Sequence, residues 1–373
     1  MSIPSKRPLT ADQLQHFGAE IEALRARTVA DLGARDARYI RNIHKAVRFS
    51  ELAGRGLLMA GAFLPAMWMT AAWIAGIAIL AISKILDNME LGHNVMHGQF
   101  DWMGDPQFNG KTFEWDIVGT SDAWRKTHNF RHHTYTNVHG MDDDVGYGVL
   151  RLFPEQPWSP GRLAQPIYAV IFALLFQWGV AVQDLRIGRL FLGRISGKDF
   201  LKMAQPTGRK MRRQLIKDYL IFPLLAGPGF WSVFWGNFIA NGIRNVWTYS
   251  VIFCGHFTTD VETFPKSIVK SETRAQWYVR QIRGSSNLSG GFLLNVMTGN
   301  LSHQIEHHLF PDIPANRYVE MAPQVREICA RYGVHYNTGS MVKQFSQVIW
   351  RILRHALPSS PMKIDETELQ QAK

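Results

Sequence analysis

The sequence predicts an all-α integral membrane protein with about four transmembrane helices, arranged as two hairpins that carry a cytosolic helical cap. Three long apolar blocks indicate this class. The first, Leu57–Ser83, has 27 consecutive residues without a charge, and an uncharged stretch of about 18 or more is typical of a membrane span. The others lie at Leu163–Val182 and Tyr219–Phe257. Soluble domains seldom contain three such blocks, so we expect the chain in a membrane.

The first apolar block predicts a helical hairpin. A helix of that length would measure about 40 Å, which is generous for one crossing and short for two. If the basic N-terminal segment lies inside, two crossings are needed. The hairpin then extends from roughly Val47 to Leu91, with its turn near Pro65.

The third block predicts a second hairpin, with its turn near Pro223–Pro228 because Ala226-Gly227-Pro228 is a strong turn signal. The loop before it is rich in Lys and Arg, which indicates a cytoplasmic location. It either only orients the protein or also binds an anionic head group or an acidic electron donor. We expect Leu163–Val182 to lie in the interface, to re-enter or to be buried, because a crossing there would place the basic loop outside. The basic residues are Arg186, Arg189, Arg194, Lys198, Lys202, Arg209, Lys210, Arg212, Arg213 and Lys217.

The chain divides into three predicted segments. Residues 1–54 form a polar cytosolic or interfacial segment, with a helix near Ala11–Leu32 that begins at a capping box of Thr10 and Gln13. Residues 55–358 form the membrane domain, and residues 359–373 form a polar tail. Two cysteines, Cys254 and Cys329, exclude a disulfide framework and an iron–sulfur cluster within this chain.

Eight of the fourteen histidines fall in three tight clusters. The second and third clusters share the spacing HxxxHH. On a helix, positions i and i+4 lie about 5–6 Å apart on one face, so each cluster offers two imidazoles to one point. Eight imidazoles exceed the needs of one ion and suit two. The clusters are His93 and His97; His128, His132 and His133; and His303, His307 and His308.

Further residues are predicted around this centre. His256 follows an apolar segment and is expected near membrane depth, where an ionisable residue is functional by default, so it is a candidate ninth ligand. Ligating imidazoles usually donate their other N–H to a carboxylate or carbonyl. The candidates for that role are Glu90, Asp87, Asp116, Glu306 and the run Asp142, Asp143 and Asp144.

The predicted ligands favour oxidative chemistry. Imidazole suits Zn, Cu, Fe and Ni, but two irons at the membrane surface can activate O₂ for attack on an unreactive alkyl C–H bond. The sequence has no dinucleotide fingerprint and no P-loop, so electrons must come from a separate reductase or ferredoxin. Two alternatives remain: a hydroxylase or monooxygenase of alkyl or sterol substrates on the same scaffold, and a non-catalytic zinc transporter or sensor.

Two motifs carry a family resemblance: Gly92-His93-Asn94-Val95-Met96-His97-Gly98, and Asn300 to Pro311 with the letters NLSHQIEHHLFP. They resemble the membrane fatty acid desaturase family, especially bacterial acyl-CoA desaturases of the mycobacterial and pseudomonad type. The resemblance implies a four-span mushroom-shaped fold, a kinked acyl tunnel, and a nicotinamide-dependent iron–sulfur flavoprotein reductase as electron donor. It also implies two irons held by His93, His97, His128, His132, His133, His256, His303, His307 and His308.

The third cluster departs from the pattern of animal stearoyl-CoA desaturases, which reads HxxHH. Gln304 stands where that pattern has its first histidine, so Gln304 is a candidate neighbour of the metal centre and the ligand role of His303 is a hypothesis. Ile252 stands where the animal enzymes have an asparagine, so that residue's role is not carried over.

The resemblance implies an O₂-dependent acyl-CoA desaturase that introduces a cis double bond, at the Δ9 position, into a saturated chain. Arg125, Lys126, Arg212 and Arg213 are candidates for binding the substrate head group. We expect the bacterial inner membrane, with the active site facing the cytoplasm. Acyl chain length, double-bond position, oligomeric state and the choice between acyl-CoA and phospholipid stay open.

Overall fold

The computed structural model describes residues 8–359 and is mostly helical. The tail predicted at 359–373 lies outside the described residues except for Ser359. Within the described part, two short strands, Asn287–Ser289 and Thr338–Ser340, pair in parallel with Leu288 opposite Gly339. The α-helices are α1 Ala11–Ala30, α2 Ala34–Gly61, α3 Ala66–Ile85, α4 Asn94–Met96, α5 Ser121–Trp124, α6 His133–Tyr135, α7 Gln165–Leu174, α8 Phe176–Asp184, α9 Gly188–Phe191, α10 Gly197–Ile216, α11 Phe222–Leu225, α12 Phe230–His256, α13 Arg274–Arg283, α14 Phe292–Met297, α15 Gln304–Leu309, α16 Tyr318–Tyr332 and α17 Met341–Ala356.

Other helical turns extend these elements. Three π-helical segments continue α3, α5 and α10, at Leu86–His93, Arg125–His132 and Lys217–Ile221. Short 3₁₀ turns lie at Asp101–Met103, Pro106–Phe108, Gly146–Gly148, Pro160–Ala164, Gly227–Gly229, Lys266–Lys270, Leu301–His303 and Ala315–Arg317.

The N-terminal helix begins as predicted. Thr10 is the N-cap of α1, and its hydroxyl accepts from the Gln13 amide while the Gln13 side chain accepts from the Thr10 amide. Helix α1 packs against α13 and α16, and buries Phe17 and Ile21 in a core shared with those helices. The predicted boundary at residue 54 falls inside α2, which continues without a break to Gly61.

Helices α2 and α3 form an antiparallel hairpin. Pro65 is the N-cap of α3, so the chain turns where the sequence predicted. Small residues let the two helices approach closely: a Cβ atom on Gly54 would lie 2.7 Å from the backbone nitrogen of Leu80. Close approach through small residues is how helices pack where the hydrophobic effect contributes little.

The second predicted hairpin is also present, with a turn formed by the 3₁₀ segment Gly227–Gly229 between α11 and α12. A buried ion cluster joins it to the first hairpin. The Asp218 carboxylate lies 3.0 Å from Lys84 Nζ and 3.1 Å from Arg55 Nη2, and Asp218 is fully buried. Because each buried charge here has a partner of opposite sign, the cluster fixes the two hairpins against each other.

Among residues 8–359, one helix, Ala66–Met96, is long and apolar enough to cross a membrane. Residues 160–184 pass the same test only as a pair of helices bent by 97°. The block at Leu163–Val182 is therefore not one straight span. Helices α2 and α12 contain charged or amide residues, including Arg55 and Arg244, which lower their apolar character. Length and composition thus identify one or two of the four predicted crossings.

Candidate metal centre

The histidine clusters meet because the four parts of the chain that carry them come together at one place. His93 closes the π-helical segment that follows α3, and His256 is the last residue of α12. The second cluster lies on the π-helical segment Arg125–His132 and the start of α6, and the third lies on α15. A π-helical turn widens the helix locally, and such turns are frequent at functional sites.

A first histidine group consists of His93, His97, His128 and His307. One ring nitrogen from each lies within 4.8 Å of those of the others. A metal–imidazole bond is about 2.0–2.1 Å, so nitrogens on opposite sides of one ion lie about 4 Å apart. The group therefore has the size that one ion requires.

A second histidine group consists of His132, His256 and His308, again with ligand nitrogens within 4.8 Å of one another. The Nε2 atoms of His256 and His308 are only 3.2 Å apart. Two imidazole lone pairs facing each other at this distance repel unless a proton or a cation lies between them. A bound metal ion removes that repulsion.

His133 lies between the two groups. Its ring centroid is 4.7 Å from that of His97 in the first group and 4.5 Å from that of His308 in the second. It is buried, and neither of its ring nitrogens has a hydrogen-bond partner among the described residues.

Buried ring nitrogens without partners fit these residues to metal ions. Leaving a buried polar atom unpaired costs about 1–3 kcal/mol, and several occur together here, which a metal ligand role explains. Within residues 8–359 the predicted ligands whose Nε2 atom is buried without a hydrogen-bond partner are His93, His97, His128, His133, His303 and His307.

Polar groups behind the imidazoles fix their orientation. Asp144 lies 3.2 Å from Nδ1 of His128, and Asp142 lies 3.0 Å from Nδ1 of His132. With Nδ1–H donating to an oxygen, Nε2 keeps its lone pair for a metal, and such partners commonly raise metal affinity. The other acceptors are the Asn94 side chain for His93, the Gly284 carbonyl for His256 and the Gln281 side chain for His308.

Burial sets the charge of the centre. Burial, followed by the neighbouring imidazoles, holds the pKa of His133, His307 and His308 well below the usual value, so these rings stay neutral. Burial also opposes charge on His132, but the Asp142 carboxylate outweighs it and raises the pKa of His132. Burial, with repulsion from Asp142, raises the pKa of Asp144 to about 7 despite the attraction of His132.

The predicted carboxylates divide into two sets. Asp142 and Asp144 contact histidines directly. Asp87 instead accepts from the amide of Asp116, and Glu306 accepts from Asn287 and Tyr336. Glu90 accepts from Tyr39 and Asn300, and its backbone carbonyl accepts from the Asn94 side chain that holds His93.

Gln304, and not His303, lies beside a ring nitrogen of the metal centre. His303 ends a 3₁₀ turn with ψ of 55°, so it does not share an α-helical face with His307. It lies outside both histidine groups, with its Nδ1 atom 4.0 Å from Glu306. Gln304 instead places its Nε2 atom 2.9 Å from Nε2 of His256.

Several neighbours of the centre were not predicted from the sequence. Trp124 stacks on His128 at a centroid distance of 4.6 Å and also contacts His93 and His97. Gln281 reaches His308 from α13. Of the neighbours that contact the imidazoles, only Asn94 could have been predicted from the sequence, because it directly follows His93. The contacts of Trp124 and Gln281 depend on tertiary packing.

A narrow cavity of about 70 Å³ begins at the histidines. Aromatic and aliphatic side chains form much of its wall, and a face of α12 forms one side. Residues Arg244, Thr248, Ile252 and His256, spaced every four positions, contribute to that face. The apolar part of this wall suits methylene groups, and polar side chains such as Gln177 and Asn245 interrupt it.

A wide groove of about 1220 Å³ adjoins the cavity and shares Trp115, Ile117 and Thr127 with it. Of the predicted head-group residues, Lys126 and Arg213 line the groove. Arg125 and Arg212 are not among its lining residues, and Arg125 donates instead to Asp122 and to the Gly110 carbonyl. The other basic residues that line the groove are Arg48, Arg131, Arg186, Lys202, Arg209, Lys210 and Lys217.

The family model for fatty acid desaturases matches residues 14–340. The chain is 46% identical over 349 residues to NADPH-dependent stearoyl-CoA 9-desaturase from two strains of Mycobacterium tuberculosis, covering 92% of this chain and 80% of the relative. It is 26% identical over 294 residues to sn-1 linoleoyl-lipid 6-desaturase of Synechocystis, covering 72% and 80%. It is 28% identical over 303 residues to acyl-lipid (7-3)-desaturase of Rebecca salina, covering 74% and 66%. Since the family model spans most of the chain and its histidines converge as described, the chain belongs to the fatty acid desaturase family.

Proposed function

We propose that the chain is an O₂-dependent acyl-CoA desaturase that introduces a cis double bond, at the Δ9 position, into a saturated fatty acyl chain. The observation that carries this proposal is the pair of buried histidine groups at one end of a narrow apolar cavity. The name of the mycobacterial relatives, with 46% identity, supports stearoyl-CoA as the substrate to test first.

Two iron ions fit the two histidine groups. His93, His97, His128 and His307 would hold one ion, and His132, His256 and His308 the other, with His133 adjacent to both. When bound, the iron pair supplies the power to activate O₂ and remove two hydrogens from adjacent carbons. His303 lies outside both groups, so these ligand sets omit it and its ligand role stays a hypothesis, whereas Gln304 is a neighbour of the predicted ligand His256.

The chain's own residues position the substrate and exclude water. Trp124 and Ile117 line the cavity beside the histidines, so a methylene group there would have apolar neighbours. Holding the reacting carbon at a fixed place matters because an error of about 1 Å can cost roughly 100-fold in rate. Helix α8 contributes Phe176 and Val180 to the wall.

The basic groove is suited to an anionic head group. Lys126 and Arg213 lie on its wall and can bind phosphate groups. The groove also contains acidic residues, including Asp116 and Glu114, which pair with Lys217 and Lys210. A head group would therefore meet a surface in which part of the positive charge is already neutralised.

The membrane arrangement we propose is the two hairpins predicted from the sequence, α2 with α3 and residues 219–229 with α12, as four crossings of the bacterial inner membrane. The part of residues 1–54 that precedes the first crossing would then be cytosolic or interfacial, residues 55–358 the desaturase domain and residues 359–373 a polar tail. The basic loop, the groove and the histidines would face the cytoplasm. Electrons would come from a separate NAD(P)H-dependent flavin and iron–sulfur reductase or a ferredoxin, consistent with the NADPH dependence in the relative's name.

The proposal is tested with membranes that contain the protein, a reductase, NADPH and stearoyl-CoA. We expect a mono-unsaturated C18 product whose formation requires iron and O₂, with the double bond located by mass spectrometry after derivatisation. A His307→Ala variant serves as the inactive control. A product that contains an oxygen atom from O₂, or no product with any saturated acyl-CoA, would contradict the proposal.

A further inference from the structure

Arg244 is an unusual residue for its place in the molecule. It is the single charged side chain within the apolar block Tyr219–Phe257, on α12, and it is 1% exposed. Its Nη2 atom donates to the Asn241 side chain at 3.3 Å. Its Nε and Nη1 atoms have no hydrogen-bond partner anywhere in residues 8–359.

A buried guanidinium with two unpaired nitrogens is costly. Each unpaired donor loses its hydrogen bonds to water, and the penalty is larger for a charged group than for a neutral one. Arg55, a buried arginine on α2, differs from Arg244 because it has several partners. It contacts Asp218, Glu51 and Asn237. Two donor nitrogens of Arg244 therefore lack the hydrogen-bond partners that their burial requires.

The missing partner belongs in the cavity. Arg244 lines the same cavity as His256, and about three helical turns of α12 separate the two residues. Asn245, Gln177 and Asn88 line the cavity too, so polar side chains occur in its wall in addition to those of the metal centre. An acyl chain that lies along this face of α12 has apolar methylene groups and one polar group, the carbonyl oxygen at its carboxyl end.

We propose that Arg244 donates hydrogen bonds to the carbonyl oxygen of the acyl thioester and thereby determines which carbon lies at the histidines. A carbonyl fits this place better than a phosphate, because a phosphate would have to lose its water in an apolar cavity. The inference rests on the proposed function and adds a specificity-determining residue to it. It also gives a reason for keeping a charge within an apolar block.

The test compares binding of stearoyl-CoA with binding of S-octadecyl-CoA, a thioether that lacks the carbonyl oxygen. Both dissociation constants are measured without O₂ to prevent turnover. A hydrogen bond from a charged donor predicts that wild-type protein binds the thioether about 10-fold or more weakly than the thioester. In Arg244→Met, which has similar length and no donor, we expect that ratio to fall to near 1.

Product analysis gives a second reading. With O₂ and a reductase, Arg244→Met should raise KM for stearoyl-CoA and yield a mixture of double-bond positions, because the carboxyl end is no longer fixed. Arg55→Met is the matched control: it removes a buried arginine outside the cavity lining, so it should lower thermal stability but keep the wild-type binding ratio and a single product. If Arg244→Met does not accumulate, Arg244→Leu, which also lacks a donor, is read in the same way.

Three outcomes would overturn the inference: equal binding of thioester and thioether by wild-type protein, an unchanged ratio in the Arg244 variant, or an equal loss of the ratio in Arg55→Met. Each of these can occur while wild-type protein still desaturates stearoyl-CoA. Failure of the proposed function is a different result, namely wild-type protein that forms no unsaturated product. The two failures are therefore distinguishable.

Discussion

At the residue scale, the oxygen atoms behind the imidazoles decide which ring nitrogen faces the metal position. Asp142 and Asp143 are adjacent, but only Asp142 accepts from a histidine, at 3.0 Å from His132. The Asp143 carboxylate pairs with Arg131 and Arg186 instead. Asp142 and Asp143 therefore form a matched pair for mutagenesis, in which only the first contacts a predicted ligand.

We expect Asp142→Asn to weaken iron binding by about 10–100-fold, because the amide removes the negative charge beside His132 and leaves one acceptor oxygen in place of two. Asp143→Asn should bind iron as tightly as wild-type protein. Both affinities are measured by competition with a chelator of known affinity. Equal weakening in the two variants would mean that Asp142 acts only through general electrostatics.

His303 and His307 provide a second comparison. His307 belongs to the first histidine group, whereas His303 lies outside both groups. We therefore expect His303→Ala to retain most of its iron and activity, and His307→Ala to lose most of both. Iron per protein by elemental analysis, together with desaturation rate, gives the answer. Loss of iron in His303→Ala would return this residue to the set of ligands.

At the element scale, the sequence predicted the turns and the clusters better than the local geometry. Pro65 and Gly227 mark real turns because proline fixes φ and disfavours helix continuation, whereas glycine accepts the positive φ of 54° found at Gly227. The i and i+4 argument fails for His303 because it presumes a regular helix, and the backbone there is a 3₁₀ turn. The unpaired state of Arg244 was also beyond sequence reasoning, since it depends on which partners α12 does not meet.

The buried ion cluster around Asp218 links the two hairpins. Asp218→Ala would leave Lys84 and Arg55 buried beside each other without their shared carboxylate. Breaking a buried ion pair in this way costs about 3–5 kcal/mol. We expect a clearly lower unfolding temperature in detergent, measured by fluorescence of the twelve tryptophans. Glu327→Gln, which removes an exposed partner of Arg331, should change stability by less than about 0.5 kcal/mol.

At the scale of the whole molecule, the metal centre joins parts of the chain that are far apart in sequence. His93 follows the first hairpin, His256 ends the second, and His308 lies on α15 near α13 and α16. A metal ion that binds these residues connects the hairpins to the helical layer formed with α1. Metal binding and the stability of the fold should therefore be coupled.

Removal of iron tests this coupling. A ligand that binds only the folded state stabilises it by about 4 kcal/mol when its concentration is 1,000 times Kd. We expect a chelator to lower the unfolding temperature of wild-type protein and Fe(II) to restore it, whereas Mg²⁺, which prefers oxygen ligands, should not. In a variant with both His307→Ala and His308→Ala the chelator should have little effect, because that protein has lost ligands from both groups. An equal chelator effect in this variant would show that the stabilising ion binds elsewhere, and the histidine groups would then lose their role in the fold.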